Sequence, residues 1–204
     1  MPPHEAKATH SAYLELKEER MGMEEGYRFL DEKRLILAAE IVTQLARYEQ
    51  LSAALRTAYR PAREALKAAI GRHGLEGLGL YPVLANVEPL PATELQSVLG
   101  VAIEKIAPAQ TASEAAAPPE PIDASPEAEA CRNAFRELLP PVAELAVLAG
   151  NLARLREEYT STARRARAME DVILPEIDET LHAVAAALEE LEREEIVRVR
   201  RRIE

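Results

Sequence analysis

The last third of the chain, residues 161–204, carries one narrow apolar seam that constrains the fold more than any other feature. Apolar residues recur there at steps of three and four, and Glu and Arg fill much of the space between them. The seam consists of Met169, Ile173, Ile177, Leu181, Val184, Leu188 and Leu191. This spacing predicts a long helix that lies against another helix, because so narrow a seam is not suited to closing over an active site.

The composition argues against a thick globular core. The chain has no Trp, only two Phe and six Tyr, and much of its apolar content is Ala. Sequences rich in Ala, Glu, Leu and Arg with helical periodicity are typical of long helices and coiled coils. The net charge of −10 disfavours general binding to nucleic acid or anionic lipid.

The sequence also predicts where such a protein resides. Cys131 is the only cysteine, so no internal disulfide can form and a reducing compartment is favoured. The N-terminus lacks the basic and apolar regions of a signal peptide, and we expect residues 1–10 to be disordered. The longest apolar candidate, around Val142 to Leu148, is interrupted by Glu144 and falls short of the roughly 18 residues that span a bilayer. We therefore expect a cytoplasmic protein without direct membrane insertion.

Gly and Pro divide the chain into three segments, since residues 71–126 hold 13 of the 22 Gly and Pro residues. The first segment, residues 11–74, is predicted to be a helix of roughly 90 Å. We expect Pro61 to kink this helix, and Gly71 and Gly74 to end it.

The third segment, residues 125–204, is predicted to be the second long helix. Ser125 is suited to the N-cap, and Pro126 is suited to the first helical position. We expect bends at Pro140-Pro141 and at Pro175.

The middle segment, residues 75–124, has a different character. Gln96 to Ala107 contains several β-branched residues and predicts a short strand, with Leu80 to Val87 as its partner in a small hairpin. Residues 111–126, rich in Ala, Pro and Glu, indicate a flexible connector.

Neither long helix can bury its seam alone, so we predict an all-α fold built on a long antiparallel two-helix coiled coil with a small mixed middle segment. Charge favours the same pairing. The start of the first helix is acidic and the end of the last helix is basic, so an antiparallel hairpin would place these two ends side by side. The pairing would act mainly on register, because exposed ion pairs contribute only about 0–1 kcal/mol each.

No group of residues indicates catalysis. The histidines have no ligand-like spacing, so a metal site is not expected. Cys131 has no nearby His and is expected to be a buried or idle thiol. The Glu run from Glu189 to Glu195 is expected to be a solvated helix face. No phosphate-binding loop of the Gly-x-x-x-x-Gly-Lys-Ser/Thr type occurs, so we expect no cofactor on this chain.

Two motifs in the last segment resemble a known family. The first consists of Arg164, Arg165, Ala168, Glu170, Val172, Ile173 and Pro175; the second consists of Leu188, Glu189, Glu192, Arg193, Glu194 and the basic cluster 198–202. Weaker matches are Leu14, Leu16, Lys17, Gly26, Leu30, Lys33 and Arg34, together with Val98 to Val101. This pattern resembles the D subunit of the V-type and archaeal-type rotary ATPases, which is a central-stalk component of the rotor.

The resemblance implies a non-catalytic rotor shaft. Family members sit inside a hexamer of nucleotide-binding subunits, and their rotation couples ATP hydrolysis or synthesis to ion translocation across the membrane. The implied partners are the catalytic and regulatory ring subunits, the small F subunit of the central stalk and a membrane-rotor adaptor. The implied location is cytoplasmic, peripheral to the membrane in the soluble sector of the complex.

The resemblance also points to residues that contact partners: Lys33, Arg34, Arg164, Arg165, Glu170, Arg193, Arg198, Arg200, Arg201 and Arg202. The basic end would lie near the catalytic ring, and the middle segment would lie toward the membrane rotor and the small F subunit. Periodicity alone also permits a free-standing coiled-coil scaffold or adaptor, and this is the alternative function.

Overall fold

The computed structural model describes residues 9–81, 93–107 and 124–203, and helix dominates this part of the chain. The predicted all-α fold with a small hairpin in the middle is confirmed. The elements are α1 (His10–Gly79), β1 (Thr93–Val98), β2 (Val101–Ile106), α2 (Pro126–Ala168), a π-helical turn (Met169–Ile173) and α3 (Leu174–Ile203). Most of the N-terminal stretch predicted to be disordered, and nearly all of the predicted connector, lie outside the described residues.

The helical backbone of α1 is broken at Gly74, one of the two glycines that were predicted to end this helix. Helical backbone continues through Pro61, whereas Gly74 adopts φ 69° and ψ 169° inside the helix. Such a positive φ is readily accessible only to glycine. Pro61 has no N–H to donate to the carbonyl of Thr57, four residues earlier. Both residues are exposed, so this carbonyl can turn toward water. Likewise α2 continues through Pro140 and Pro141.

The predicted bend at Pro175 takes the form of the π-helical turn that precedes it. The N–H of Leu174 donates to the carbonyl of Met169, five residues earlier. Pro175 has no N–H, and in a regular α-helix its ring would clash with the carbonyl of Asp171. A wider turn relieves this clash, since π-helical turns occur within α-helices as local insertions.

The chain divides into two compact units. Unit 1 comprises residues 1–37 and 159–204. Within it, α1 runs antiparallel to the C-terminal helices, because Arg20 contacts Asp178 while His10 contacts Glu192. Its buried side chains among the described residues are few and mostly small: Leu37, Thr162, Ala166, Ile177 and Val184.

Unit 2 comprises residues 38–158. Here the ring of Tyr59 on α1 packs edge-to-face against Phe135 on α2, with centroids 6.3 Å apart. Ser125 caps α2 as predicted, because its Oγ accepts a hydrogen bond from the N–H of Ala128 at 3.1 Å. The same hydroxyl lies 2.5 Å from His73 Nε2, which ties the start of α2 to the end of α1.

Both strands of the hairpin come from residues 93–106, which corrects the predicted arrangement. Gln96 to Ala107 is not one strand, because the chain reverses within it at Leu99 and Gly100, and residues 82–87 of the predicted partner lie outside the described residues. The strands pair antiparallel with Thr93 opposite Ile106. Leu99 has φ 49° and Gly100 has φ 88°. Two successive positive φ values are those of a two-residue type I′ turn, which usually carries Asn-Gly.

A buried amide, Asn151, and a neighbouring arginine, Arg154, fix the hairpin to α2. Asn151 is 2 % exposed, and its Nδ2 donates to the carbonyl of Glu104 at 2.7 Å. Its Oδ1 accepts from the N–H of Glu104 at 2.9 Å. Arg154 donates to the carboxylate of Glu104 at 2.8 Å and to Asn151 Oδ1 at 2.9 Å. The side chain of Asn151 thus satisfies both backbone groups of Glu104 on β2.

One helical stretch, Pro126–Ile203, is long and apolar enough by length and composition to cross a membrane. This differs from the expectation that no stretch approaches that length. Core helices of soluble proteins pass the same test, and two polar residues of this stretch, Glu144 and Asn151, bind Arg47 and Glu104 within unit 2. The absence of direct membrane insertion stays a prediction.

Replacement of Leu99 by Asn should stabilise the hairpin. A non-glycine residue in the left-handed region is strained by about 1–2 kcal/mol, and Asn tolerates that region better than Leu. We expect slower amide exchange in β1 and β2 and a gain of roughly 0.5–1 kcal/mol in their local opening free energy. Leu95→Asn, at an exposed strand position with negative φ, is the matched control and should give no gain. A Leu99→Asn variant with unchanged or faster exchange would contradict the assigned turn.

Candidate functional site

The described residues contain no cluster of side chains suited to binding a metal ion. Among residues 9–81, 93–107 and 124–203 no group of three or more His, Cys, Asp or Glu side chains could hold a metal ion. Cys131 is buried, and burial raises the pKa of its thiol. A thiol that keeps its proton is a poor nucleophile. The exposed charged surfaces of unit 1 are therefore the candidate functional sites.

The first such surface, the terminal patch, consists of the five predicted arginines near the end of α3. These are Arg193, Arg198, Arg200, Arg201 and Arg202, and all of them are exposed. Arg193 pairs with Glu189 and Glu190 of its own helix. Exposed apolar side chains alternate with the arginines, with exposed fractions of 57 % for Ile196, 57 % for Val199 and 80 % for Ile203.

The position of the terminal patch explains its exposure. His10, the first residue of α1, lies opposite Glu192, with His10 Nε2 3.7 Å from the carboxylate. Arg198 is six residues further along α3, which corresponds to about 9 Å at 1.5 Å per residue. The apolar residues Ile196, Val199 and Ile203 continue the apolar pattern of α3 past the start of α1. Among the described residues, this end of α3 has no helix beside it.

The predicted charge match between the two ends is therefore wrong for the described residues. Because α3 extends past α1, the basic cluster does not lie beside the acidic start of α1. Further along the pair, Arg20 of α1 binds Asp178 of α3 at 2.5 Å, and Arg20 also binds Glu24 on its own helix. The hydrogen bond and charge of Arg20 hold the pKa of Asp178 below its ordinary value.

The second surface, the central patch, consists of the other five predicted residues: Lys33, Arg34, Arg164, Arg165 and Glu170. The Tyr27 hydroxyl contacts Glu170, so the two helices are level there. Lys33 and Arg34 follow Tyr27 by about 10 Å of helix, and Arg164 and Arg165 precede Glu170 by a similar distance, which places the four cations at one level. Arg34 pairs with Asp31 at 2.5 Å, and Arg164 and Arg165 are exposed.

The ten predicted residues thus form two patches rather than one site. Glu170 and Arg198 are separated by about 40 Å of helix at 1.5 Å per residue. All ten belong to unit 1. Each patch exposes several guanidinium groups, which bind carboxylates with two parallel hydrogen bonds, so both are suited to acidic side chains of a partner.

Sequence reasoning missed the packing contact between the two patches. A Cβ at Gly26 would lie 3.1 Å from Cε of Met169, in the π-helical turn. The hydroxyl of the neighbouring Tyr27 lies close enough to Glu170 for that carboxylate to act on it. Loss of hydration raises the pKa of the Tyr27 hydroxyl most, and the charge and hydrogen bond of Glu170 raise it further. The signal in the sequence was the series Met169, Ile173, Ile177 and Leu181. Its three steps of four residues span 12 residues, whereas three alternating steps of a heptad pattern span 10 or 11, so the series contains at least one extra residue.

Comparison with known proteins gives a consistent result over nearly the whole chain. A family model that describes the D subunit of ATP synthase matches residues 12–202. The D subunit of the V-type ATP synthase of Thermotoga neapolitana is 28% identical over 195 residues, which are 95% of this chain and 94% of that protein. The corresponding V-type ATP synthase protein of Anaeromyxobacter dehalogenans is 32% identical over 198 residues, 96% and 94% of the two chains. The D subunit of the A-type ATP synthase of Methanoregula boonei is 27% identical over 205 residues, 98% and 97% of the two chains.

Two glycine substitutions on one helix should differ because of the Met169 contact. Gly22→Ala places its Cβ in open space, so it should stabilise α1 by about 0.5–1 kcal/mol through helix propensity. Gly26→Ala has the same intrinsic gain but forces Met169 to move. We therefore expect its gain, measured by urea unfolding, to be smaller by about 0.5 kcal/mol or more.

A Met169→Ala background provides the control for this pair. Removing the thioether frees the space beside Gly26, so the two alanine substitutions should then stabilise the chain equally. Equal gains in the presence of Met169 would contradict the contact between Gly26 and the π-helical turn.

Proposed function

Because the chain belongs to the family of ATP synthase D subunits, we propose that it is the central shaft of a V/A-type rotary ATPase. The resemblance seen in the sequence is confirmed by the family match and by the relatives. Membership makes the chain a non-catalytic component of a multi-subunit ATPase complex. We propose further that it turns inside a ring of nucleotide-binding subunits and so couples ATP hydrolysis or synthesis to ion translocation.

The observation that carries this proposal is the exposed end of α3. Fifteen consecutive residues, 189–203, are all exposed, and they include both the terminal patch and apolar side chains. Isolated exposed apolar residues are common, but a stripe of them between arginines at the end of a helix is suited to insertion into a partner. The partner surface that fits it has an apolar centre and carboxylates around the rim.

The composition of unit 1 agrees with a shaft that is enclosed by other subunits. Its helices bury only a few side chains against each other, whereas several large apolar side chains stay exposed: Leu14, Phe29, Leu35, Ile36 and Val172. Partner subunits around the helix pair would cover these residues. The central patch and the terminal patch supply cations at two different positions along the helices of unit 1. The ring would therefore contact positive charge at both positions.

Rotation requires an asymmetric shaft, and the residues of unit 1 supply asymmetry. The terminal patch lies on α3 alone, and the π-helical turn interrupts one helix of the pair while α1 stays α-helical opposite it. Each nucleotide-binding subunit would therefore meet a different surface as the shaft turns. Differential contact of this kind is what shifts the affinity of a site between states.

The remaining partners are assigned to unit 2. We propose that the small F subunit and the membrane-rotor adaptor bind in the region of the hairpin and the connection between α1 and α2. The hairpin offers an outward strand, β1, with Leu95 75 % exposed, while β2 is held by Asn151. The complex containing the chain would act from the cytoplasmic side as part of the soluble sector.

Neutralising the terminal patch should impair assembly while the helices stay folded. We expect replacement of Arg198, Arg200, Arg201 and Arg202 by Gln to weaken binding to the ring by about tenfold or more, equivalent to about 1.4 kcal/mol. The measurement is co-purification with the two nucleotide-binding subunits and the small F subunit from the same source, followed by the ATPase rate of the complex. The thermal unfolding midpoint of the isolated variant should match that of the parent chain.

The matched control removes exposed positive charge from unit 2. Arg56→Gln with Arg60→Gln changes two exposed arginines of α1 outside both patches and should leave assembly and ATPase activity unchanged. A parent chain that forms a stable homodimer and ignores the ring subunits would instead support a free-standing scaffold. Unchanged coupled activity in the terminal-patch variant would refute the role of that end.

A further inference from the structure

Packing in unit 1 is interrupted around the π-helical turn. From Arg167 to Glu176 no residue is buried, whereas Ala166 before this stretch is 1 % exposed and Ile177 after it is 9 % exposed. Met169 and Ile173 are half-buried, and the three residues between them are exposed. Between Thr162 and Val184 this is the longest stretch of the C-terminal helices without a buried residue, so the apolar contact between the helices is interrupted at this level.

The backbone is weakened at the same level. The π-helical turn takes up the extra residue in the series Met169, Ile173, Ile177, Leu181, and it has wider and less regular hydrogen bonding than an α-helix. Pro175 cannot donate to the carbonyl of Asp171 at α-helical spacing or to that of Glu170 at π-helical spacing. Both of these residues are exposed, so water can solvate these carbonyls at little cost.

The opposite helix carries two glycines at or near this level. Gly26 faces Met169, and Gly22 is one turn away with nothing within 4 Å of its Cβ position. Each glycine within a helix lowers helix stability relative to Ala, because glycine has more conformational freedom to lose. Both helices of unit 1 therefore combine a weakened backbone with thin packing at the same point.

Polar contacts hold the helices together beside this point. Arg20 binds Asp178 on one side, and Tyr27 binds Glu170 within the turn. The side chains of Arg20 and Asp178 are 38% and 41% exposed, so solvent screens their pairing and the ion pair holds the helices only weakly. Long polar side chains can keep such contacts while the backbone angle changes by a few degrees, which tightly packed leucines cannot.

We infer that Gly22–Gly26 and Met169–Pro175 form a flexible joint within unit 1. The helix pair bends or twists here more readily than in the turns on either side. The joint rests on the geometry of unit 1 alone.

Hydrogen–deuterium exchange of the isolated full-length chain tests the joint. We expect amides of residues 170–174 to exchange about tenfold or more faster than amides of residues 159–166 and 178–184 in the same unit, because local opening is easier where packing is thin. Pro175→Ala restores an N–H and should slow exchange of residues 170–174 by about tenfold. The ring is not needed for this experiment, so its result is independent of the rotor assignment.

Pro61→Ala is the matched control, because it removes a helical proline in unit 2 instead. It should leave exchange of residues 170–174 unchanged. Exchange at the turn that is no faster than in the flanking segments would overturn the joint. Failure of Pro175→Ala to slow exchange would also overturn it, as would an equal slowing by Pro61→Ala, since that would show global stability as the cause.

Discussion

The structure depends on one constraint, which is that a helix with a narrow apolar seam cannot bury that seam by itself. Its seam needs a second helix, and this chain supplies that helix itself by running α1 antiparallel to the C-terminal helices within each unit. The resulting contact is thin, and several of its most buried positions are small or polar, such as Ala62, Ala69, Asn151 and Thr162. Such a pair is long and well defined but leaves much apolar surface for other molecules.

Buried polar groups then fix the register and arrangement of the elements, which the apolar seam alone does not determine. Asn151 satisfies the backbone of Glu104 and fixes the hairpin to α2, and Ser125 joins the start of α2 to His73. A buried polar group that loses its partner is destabilising by about 1–3 kcal/mol, so each of these contacts disfavours a shifted arrangement. Apolar contacts alone would not discriminate as strongly between registers, because neighbouring Ala and Leu positions are similar.

The sequence predicted the features that follow from periodicity and missed those that depend on a single backbone angle. The seam predicted both long helices, and Ser125 predicted the start of α2. The hairpin was misplaced because Leu99 occupies a left-handed turn position where Asn is usual, so the turn could not be recognised. Helical backbone continues through the exposed Pro61, and it is broken at Gly74, one of the two glycines expected to end the helix.

The sequence pointed to the charged residues of the candidate site, but it did not give their arrangement or the packing between them. The arginines of both patches were found from their motif, and the structure separates them along unit 1. The arginines of the terminal patch were expected to lie beside the acidic start of α1, and this was wrong. The end of α3 extends past His10, and that extension depends on where α1 begins rather than on charge. Gly26 and Met169 were missed because their contact depends on the π-helical turn. In the sequence this turn corresponds to three successive four-residue steps between apolar residues, and these steps could not be interpreted without the structure.

We propose that this non-catalytic component turns inside the ring, and single-molecule rotation measures that motion. A complex held to a surface through its ring subunits would carry a probe on Glu49→Cys, an exposed position of unit 2, in a Cys131→Ser background. If the chain is the rotor shaft, the probe should turn in one direction when ATP is added and stop when ATP is removed. ATP hydrolysis at the full rate by an intact complex with a stationary probe would contradict it.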